Sequence, residues 1–120
     1  MISFVVPAYN EEKRISATLD EIIKSTTYLE LKDFEIIVIN DCSNDNTINI
    51  LNNLSKNEKF FKILKTISNE KNIGFGGSVK KGFLIAENKY TMMLPGDNAH
   101  KSEEINKMIK HIMINDVDIL

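Results

Sequence analysis

Residues 90–100 read Tyr-Thr-Met-Met-Leu-Pro-Gly-Asp-Asn-Ala-His. An apolar run short enough to be a buried strand stops at Pro95-Gly96, and Asp97 is the first charged residue after it. We therefore expect a carboxylate at the carboxyl end of a strand. Ligands of open α/β sheets bind at that edge, so the other residues that arrive beside Asp97 indicate what the chain binds.

The composition is that of one soluble globular domain spanning residues 1–120. Of the 120 residues, 42% are hydrophobic and 27% are charged, which suffices for a core without disulfides or a structural metal. Cys42 is the sole cysteine and the first residues lack a signal-peptide pattern, so we predict a cytoplasmic setting, including the inner face of a membrane. No apolar run reaches the roughly 18 residues of a membrane span.

The charge balance argues against nucleic acid as a partner. The chain has 15 Lys and Arg residues against 17 Asp and Glu residues, for a formal net charge of -2. A broad positive surface that could gather nucleic-acid phosphates is therefore not expected.

The hydrophobic pattern predicts strand and helix in alternation, four times over. Runs rich in β-branched and aromatic residues predict strands at 2–6, 34–39, 62–67 and 90–94. Residues 117–120 look like the beginning of a fifth strand. This alternation predicts an α/β fold with a parallel sheet of order 3-2-1-4, right-handed crossovers and helices on both faces.

Helical spacing predicts one helix after each strand. We expect Asn10 to cap the first helix, with Glu11 and Glu12 in its first turn, and Asn44 or Asp45 to cap the second. A loop with three glycines, residues 69–77, should lead into the third helix. The positions predicted to face inward are Ile15, Leu19, Ile22 and Ile23, then Ile48, Leu51 and Leu54, then Val79, Phe83 and Ala86, and last Ile105, Met108, Ile109, Ile112 and Met113.

The predicted strand order brings distant polar residues together. Its winding reverses between the first and fourth strands, so their carboxyl ends should flank a crevice, with the end of the second strand one place away. Those ends carry Tyr9-Asn10, Asp97-Asn98 and Asn40-Asp41. Topology, rather than local spacing, is what predicts a site here.

Asp41 and Asp97 each have a functional and a structural interpretation. The Asp41 carboxylate can accept N–H bonds from the edge of a nucleobase, and Asp97 offers a hard oxygen ligand for Mg²⁺ or Mn²⁺ on a diphosphate. Equally, Asp41 fits a helix cap or turn residue, and Asp97 fits the tip of a Pro-Gly-Asp-Asn turn.

The glycine-containing stretch matches neither common phosphate-binding fingerprint. Val79 stands where the dinucleotide fingerprint needs its third glycine, and Phe83 follows Gly82 where a Walker loop needs lysine. A structural loop, close packing of helix on strand and a mobile loop over a ligand all remain open for these glycines.

The other reactive side chains suggest no separate chemistry. His100 lies near Asp97 but has no ligand partner at fixed spacing, so we interpret it as a residue at the start of a helix. His111 falls outside the apolar stripe of its helix and is expected in solvent. Cys42 is interpreted as an inert neighbour of Asp41.

Three linked motifs then give a resemblance to a known family. Residues 5–12 (Val-Val-Pro-Ala-Tyr-Asn-Glu-Glu), 39–47 (Ile-Asn-Asp-Cys-Ser-Asn-Asp-Asn-Thr) and 72–82 (Asn-Ile-Gly-Phe-Gly-Gly-Ser-Val-Lys-Lys-Gly) follow in the right order. They resemble the family 2 glycosyltransferases of the GT-A fold, and most closely the branch that transfers sugars to polyprenyl phosphates such as dolichol phosphate. The resemblance implies the N-terminal, Rossmann-like half of such an enzyme.

The resemblance also implies roles for particular residues. Asp41 matches the second acid of the family's Asp-Asp-Gly-Ser motif, which binds the base, while Asn40 replaces the first acid. Asp97 matches the second acid of the metal-binding Asp-X-Asp motif, whose first position is Pro95 here. Mg²⁺ often takes one or two carboxylates plus phosphates, so Asp97 alone can serve. The nucleotide-binding residues expected are Pro7, Ala8, Tyr9, Asn10, Glu11, Asn40, Asp41, Gly74 and Asp97.

The leading hypothesis is the donor-binding portion of a glycosyltransferase, using a UDP- or GDP-sugar, a divalent cation, and a polyprenyl phosphate or saccharide acceptor. The family's acceptor-binding half and general base are expected beyond Leu120, so no catalytic residue is assigned. The alternative is a non-catalytic α/β module that binds nucleotide or protein. A phosphoacceptor receiver would need an acidic pair after the first strand, where the chain has Pro7-Ala-Tyr.

Overall fold

The computed structural model describes residues 1–115 and shows the predicted α/β architecture. Four parallel strands form one sheet of order β3-β2-β1-β4, which confirms the predicted topology. The strands are β1 (Ile2–Ala8), β2 (Phe34–Asn40), β3 (Leu64–Ser68) and β4 (Tyr90–Met93). The fifth strand predicted at 117–120 lies outside the described residues.

A helix follows each strand, and the helices cover both faces of the sheet. They are α1 (Ile15–Tyr28), α2 (Thr47–Ser55), α3 (Gly74–Ile85) and α4 (Ser102–Asn115). The inward side chains of α1, α2 and α4 join one hydrophobic cluster with alternate residues of β1 and β2. Helix α3 packs on the opposite face, against β1 and β2. None of the helices within residues 1–115 has both the length and the apolar character that a membrane crossing requires.

Strand β1 is the buried centre of the sheet, and all seven of its residues are buried. Pro7 lies within it, although proline cannot donate a ladder hydrogen bond. The carbonyl of Pro7 accepts from Gly96 N at 3.0 Å, so this side of Pro7 faces the chain that continues from β4. The paired residues of β1 and β4 end at Val5 and Met93. Pro7 still pairs with Ile39 of β2, but it lies past the last pair of β1 and β4, where the missing N–H is tolerated.

Helix α3 approaches β1 closely because it carries a glycine at the contact. A Cβ added to Gly82 would lie 2.3 Å from Cγ1 of Val5, which no real side chain would tolerate. Close packing of helix on strand is therefore the use of Gly82, a residue outside the loop of three glycines.

Several local predictions are wrong. Asn10 does not cap α1: its φ is 53°, and the helix begins at Ile15, after a turn in which Arg14 N donates to Glu11 O. Glu11 and Glu12 consequently precede the first turn. The predicted loop at 69–77 is shorter, because α3 already begins at Gly74.

Two side chains predicted to face inward at helix ends do not. Met113 in α4 is 43% exposed, whereas Ile105, Ile109 and Ile112 are buried as predicted. Helix α3 ends at Ile85, so Ala86 lies just after it in an extended conformation. The predicted stripes are therefore confirmed for most of α1 and α4, whereas in α3 the buried residues are Ser78 and Gly82 and not the predicted Val79 and Phe83.

Candidate functional site

The carboxyl ends of β1, β2 and β4 meet at a cleft of about 410 Å³. Among its lining residues are seven of those predicted to bind nucleotide: Pro7, Ala8, Tyr9, Glu11, Asp41, Gly74 and Asp97. The remaining lining residues are Asn72, Phe75, Ser78, Pro95 and Gly96. Residues more than thirty positions apart in the sequence are thus brought to one edge by the strand order.

Gly96 brings the Asp97 loop against the end of β1. Its amide donates to Pro7 O, and a Cβ at this position would lie 3.2 Å from both Ala8 Cβ and Pro7 O. The tight fit explains a buried glycine directly before Asp97. It also holds Asp97 at the rim of the cleft.

Asp41 lies at the wall of the cleft and is only 4% exposed. Its Oδ1 accepts from Ile73 N at 2.8 Å and from Asn69 Nδ2 at 3.0 Å, and its Oδ2 accepts from Gly74 N at 2.9 Å. Gly74 has a φ of 86°, a conformation that favours glycine. Asp41 therefore caps the start of α3, not the helix that follows it in the sequence.

These hydrogen bonds keep Asp41 ionised. Burial raises the pKa of its carboxyl, but the bonds from Ile73 N, the Asn69 side chain and Gly74 N outweigh burial and hold the pKa below its ordinary value. Asp41 is thus a fixed negative charge with pure acceptor chemistry in the wall of the cleft.

Asn10 and Asn40 do not line the cleft; they organise the loops behind it. Asn10 Oδ1 accepts from Asn44 N at 2.8 Å, and Asn10 N donates to Ser43 Oγ at 3.0 Å. Asn40 Oδ1 accepts from Ser43 Oγ at 2.6 Å, and its Nδ2 donates to Ser68 Oγ at 3.1 Å. The loops after β1, β2 and β3 are tied together through these amides.

Glu11 faces the cleft and responds to the charge of Asp97. Burial raises the pKa of Glu11, Arg14 lowers it, and the nearby negative charge of Asp97 raises it again, so the pKa lies above its ordinary value. A carboxyl whose ionisation is disfavoured by a neighbouring negative charge marks a local environment that attracts a cation.

Asp97 is exposed and takes part in a turn, as the structural interpretation requires. Its Oδ1 accepts from Ala99 N at 3.1 Å, and Asn98 follows with a φ of 59°. The turn bond engages one carboxylate oxygen. Asp97 also lines the cleft. Its role in the turn and a role in binding a ligand are therefore compatible.

The residues around Asp97 suit a hard cation that takes few protein ligands. Residues 1–115 contain no group of three or more His, Cys, Asp or Glu side chains placed to hold a metal ion. However, Asn98 Oδ1 is a buried oxygen without a hydrogen-bond partner in the described chain, and Glu11 Oε1 is a second buried oxygen. Arg14 Nη2 lies 2.9 Å from that Glu11 oxygen, as an ion pair. This donor set fits Mg²⁺ or Mn²⁺ completed by phosphate oxygens and water.

Sequence reasoning missed Phe75 and Asn72 in the cleft wall. Phe75 is 58% exposed in the first turn of α3, and Asn72 Oδ1 accepts from Gly74 N at 3.2 Å. The glycines nearby predict a loop, and this pattern obscures the start of a helix at Gly74. An aromatic residue between two glycines is the signal that could have found Phe75.

The histidines and the cysteine lie where the sequence suggested. His100 Nδ1 is 2.7 Å from Glu104 Oε1, an i,i+4 pair at the start of α4. His111 is exposed on α4. Cys42 Sγ lies 3.6 Å from Glu70 O, beside Asp41 in sequence.

Comparisons with known proteins bear on the same site. The family model described as Glycosyl transferase family 2 matches residues 3–120. Dolichyl-phosphate beta-glucosyltransferase ALG5C of Trichomonas vaginalis is 38% identical over 117 residues, covering 92% of this chain and 33% of that protein. The chain spans about a third of the length of the curated relatives it matches.

Two solved structures share the fold. Residues 1–349 of S. aureus TarS, in complex with UDP-GlcNAc, superpose with a TM-score of 0.76 at 26% identity, covering 96% of this chain and 32% of TarS 1–349. The mannosyltransferase PcManGT of Pyrobaculum calidifontis, in complex with GDP-Man and Mn²⁺, gives a TM-score of 0.78 at 17% identity, covering 92% and 32%. At that lower identity the likeness is one of fold.

Proposed function

The chain belongs to glycosyltransferase family 2, and from this we propose that it is the donor-binding portion of a glycosyltransferase. It would bind a nucleotide-diphosphate sugar, UDP- or GDP-linked, in the cleft at the carboxyl edge of the sheet. The observation that carries this proposal is the convergence of Asp41 and Asp97 in one cleft, since these two residues come from strands at different places in the sequence.

Each end of the cleft suits a different part of the donor. Asp41 is a buried, ionised acceptor and fits an N–H group of the base. Tyr9 and Phe75 present exposed aromatic surface on the same cleft, which suits a planar ring. Asp97 at the rim fits the diphosphate end through a divalent cation. The residues proposed to contact the nucleotide are Pro7, Ala8, Tyr9, Glu11, Asp41, Gly74 and Asp97, while Asn10 and Asn40 would support it by holding the loops behind the cleft.

A bound Mg²⁺ or Mn²⁺ would offset the negative charge that develops on the diphosphate as it leaves. The chain's own contribution is to bind and orient the donor. Asp97 and the neighbouring charge of Glu11 supply the negative potential that favours a cation there.

The acceptor and the site of action follow from the family branch. We propose a polyprenyl phosphate as acceptor, with a saccharide as the other option, because the Trichomonas vaginalis relative is named a dolichyl-phosphate glucosyltransferase. Such an acceptor lies in a membrane, so this portion would work at its cytoplasmic face. The acceptor-binding part and a general base would come from residues other than those of this chain.

Ligand-induced change in melting temperature tests the proposal. A ligand at 100 times its Kd stabilises by about 2.7 kcal/mol, which for a domain of this size raises Tm by roughly 10 °C. We expect UDP or GDP, or one of their sugars, to give such an increase, and Mn²⁺ to enlarge it. If neither nucleotide nor its sugars move Tm, with or without Mn²⁺, the donor-site proposal is wrong.

Asp97→Asn separates the cation from the rest of the site. The variant keeps the turn bond to Ala99 N, because an amide oxygen can accept it, so the fold should be unaffected. We expect the Mn²⁺-dependent part of the Tm increase to disappear and the nucleotide-dependent part to remain. Asp33→Asn, the same change at an exposed residue of the opposite sheet edge, is the matched control. If the Mn²⁺-dependent part of the Tm increase is the same in Asp97→Asn as in wild type, Asp97 is a turn residue only.

A further inference from the structure

Asp41 is supported from behind by two further side chains. Lys81 Nζ in α3 donates to Asn69 Oδ1 at 2.8 Å, and Asn69 Nδ2 donates to Asp41 Oδ1 at 3.0 Å. Asn69 directly follows β3, so the chain of bonds crosses from the helix to the sheet. We refer to Lys81, Asn69 and Asp41 as the relay.

Lysine at one end of the relay fixes the orientation of the amide in the middle. A lysine ammonium only donates and a carboxylate only accepts, so the one satisfactory arrangement turns the amide oxygen to Lys81 and the NH₂ group to Asp41. The flipped amide would set donor against donor and acceptor against acceptor. Asn69 is 6% exposed, and such conflicts are costly where water cannot relieve them.

The relay also determines which oxygen of Asp41 is available to a ligand. A carboxylate oxygen has room for about two donors. Oδ1 already has two, Asn69 Nδ2 and Ile73 N, whereas Oδ2 has Gly74 N. A further donor arriving from the cleft would therefore be accepted at Oδ2.

From this geometry we infer that Asn69 and Lys81 are positioning residues for the donor nucleotide, which act by holding Asp41 with Oδ2 presented to the cleft. The inference rests on the proposed function, because it assumes that the ligand of Asp41 is the nucleotide base. Neither Asn69 nor Lys81 lines the cleft itself. Asn69 Nδ2 contacts two residues that do line it, Asp41 at 3.0 Å and Ser78 Oγ at 3.3 Å, and the shorter bond, to Asp41, is the one through which we expect the effect on binding to pass.

The first experiment needs no ligand. The titration of Asp41 is followed by the NMR shift of its Cγ in the full 120-residue chain. We expect Lys81→Met to raise the pKa of Asp41 relative to wild type and Lys81→Arg, which still donates, to restore it. Lys80→Met, an exposed lysine one position earlier on α3, is the matched control and should leave the titration unchanged.

A double-mutant cycle distinguishes the relay from simple attraction between charges. Asn69→Ala should also raise the pKa of Asp41, and adding Lys81→Met to it should produce no further change. If Lys81→Met raises the pKa equally with and without Asn69, the charge acts through space and the relay is wrong. If Lys81→Met has no effect in wild type, the relay is likewise wrong.

The second experiment measures nucleotide affinity by calorimetry, using UDP and GDP with Mn²⁺. We expect Lys81→Met to weaken binding about tenfold, the effect of losing the one hydrogen bond from Lys81 to Asn69 that supports Asp41. We expect Lys81→Arg and Lys80→Met to bind the nucleotide as wild type does. Equal affinity in Lys81→Met and wild type would overturn the positioning role while leaving the proposed function intact. If wild type binds neither nucleotide, the proposed function is wrong, and so is the positioning role. The titration of Asp41 would then still show whether Lys81 acts on Asp41 through Asn69.

Discussion

Asp41 receives the backbone N–H groups of Ile73 and Gly74 as the side chain at a helix N-cap would, although it lies 32 residues before Ile73. Helix N-termini are usually capped by a residue next to the helix. Here the cap belongs to the neighbouring strand, so the start of α3 is stabilised only once β2 is in place. The same carboxylate is the proposed acceptor for the base.

Replacing Asp41 should therefore affect stability as well as binding. Asp41→Ala leaves Ile73 N without its acceptor and removes the shorter of the two bonds made by Gly74 N and by Asn69 Nδ2, and we expect the free energy of unfolding to fall by about 1–3 kcal/mol. Urea unfolding measures this. Asp33→Ala, at an exposed aspartate, should change stability by less than about 0.5 kcal/mol. Equal stability of Asp41→Ala and wild type would show that the cap contributes nothing.

The sequence placed Asp41 and Asp97 at this edge of the sheet, where both line the cleft, but it assigned no role to Asn69. Asp41 and Asp97 are aspartates that closely follow buried apolar runs, a pattern that is visible within a few residues of sequence. The family motifs point to the same two positions. Asn69 acts through hydrogen bonds to Asp41, which lies 28 positions earlier in the sequence, and to Lys81, which lies 12 positions later. No local pattern reveals such a role.

At the scale of elements, helix starts show the same limitation. Asn10 was expected to cap α1, but its side chain binds the loop after β2, and its positive φ turns the chain before the helix can begin. Helix α4 begins with Ser102, whose N–H donates to Glu21 Oε1 at 2.7 Å. That bond, with the help of Lys24, outweighs burial, which raises the pKa of Glu21, and holds this pKa below its ordinary value. Caps supplied by other elements cannot be read from adjacent residues.

The glycines of α3 allow a direct test of how this helix packs. Gly82→Ala would force a Cβ to 2.3 Å from Val5 Cγ1, whereas a Cβ at Gly76 meets no atom within 4 Å. We expect Gly82→Ala to destabilise by about 1–3 kcal/mol and Gly76→Ala to stabilise by about 0.4–1 kcal/mol. Urea unfolding of both variants checks this. Similar values for the two would contradict the close approach of α3 and β1.

Glu35 joins several elements at the edge of the sheet opposite to the cleft. Its carboxylate accepts from Ser3 Oγ in β1 at 2.5 Å, from Lys65 Nζ in β3 at 3.0 Å and from Glu87 N after α3 at 2.8 Å. Burial raises the pKa of Glu35, but the bonds from Ser3, Glu87 N and Lys65 outweigh it and the pKa is lowered.

This network should make stability depend on pH. Because the pKa of Glu35 is lower in the folded chain than its ordinary value of 4.5, its contribution is fully present above that pH and is lost as pH falls through the folded value. We expect wild type to exceed Glu35→Gln in stability at neutral pH, and the difference to shrink as the pH falls. Urea unfolding of both proteins across this range tests it; a constant difference would contradict the network.

At the scale of the whole molecule, topology was the most predictable feature. Strand–helix alternation with right-handed crossovers leaves few arrangements, and the order 3-2-1-4 followed from the apolar runs at 2–6, 34–39, 62–67 and 90–94. The prediction of one cleft at the carboxyl edge depended only on that order. Element ends were less predictable, because their bonds are made to distant parts of the chain.

Paramagnetic broadening of NMR signals by Mn²⁺ tests most directly whether this edge of the sheet binds a nucleotide with a cation. With UDP or GDP present, we expect Mn²⁺ to broaden the amide signals of Tyr9, Gly74 and Gly96 and to spare that of Asp33 at the opposite edge. Asp97→Asn should remove the effect. Equal broadening at Asp33 and Gly96, or broadening that Asp97→Asn leaves unchanged, would contradict the claim.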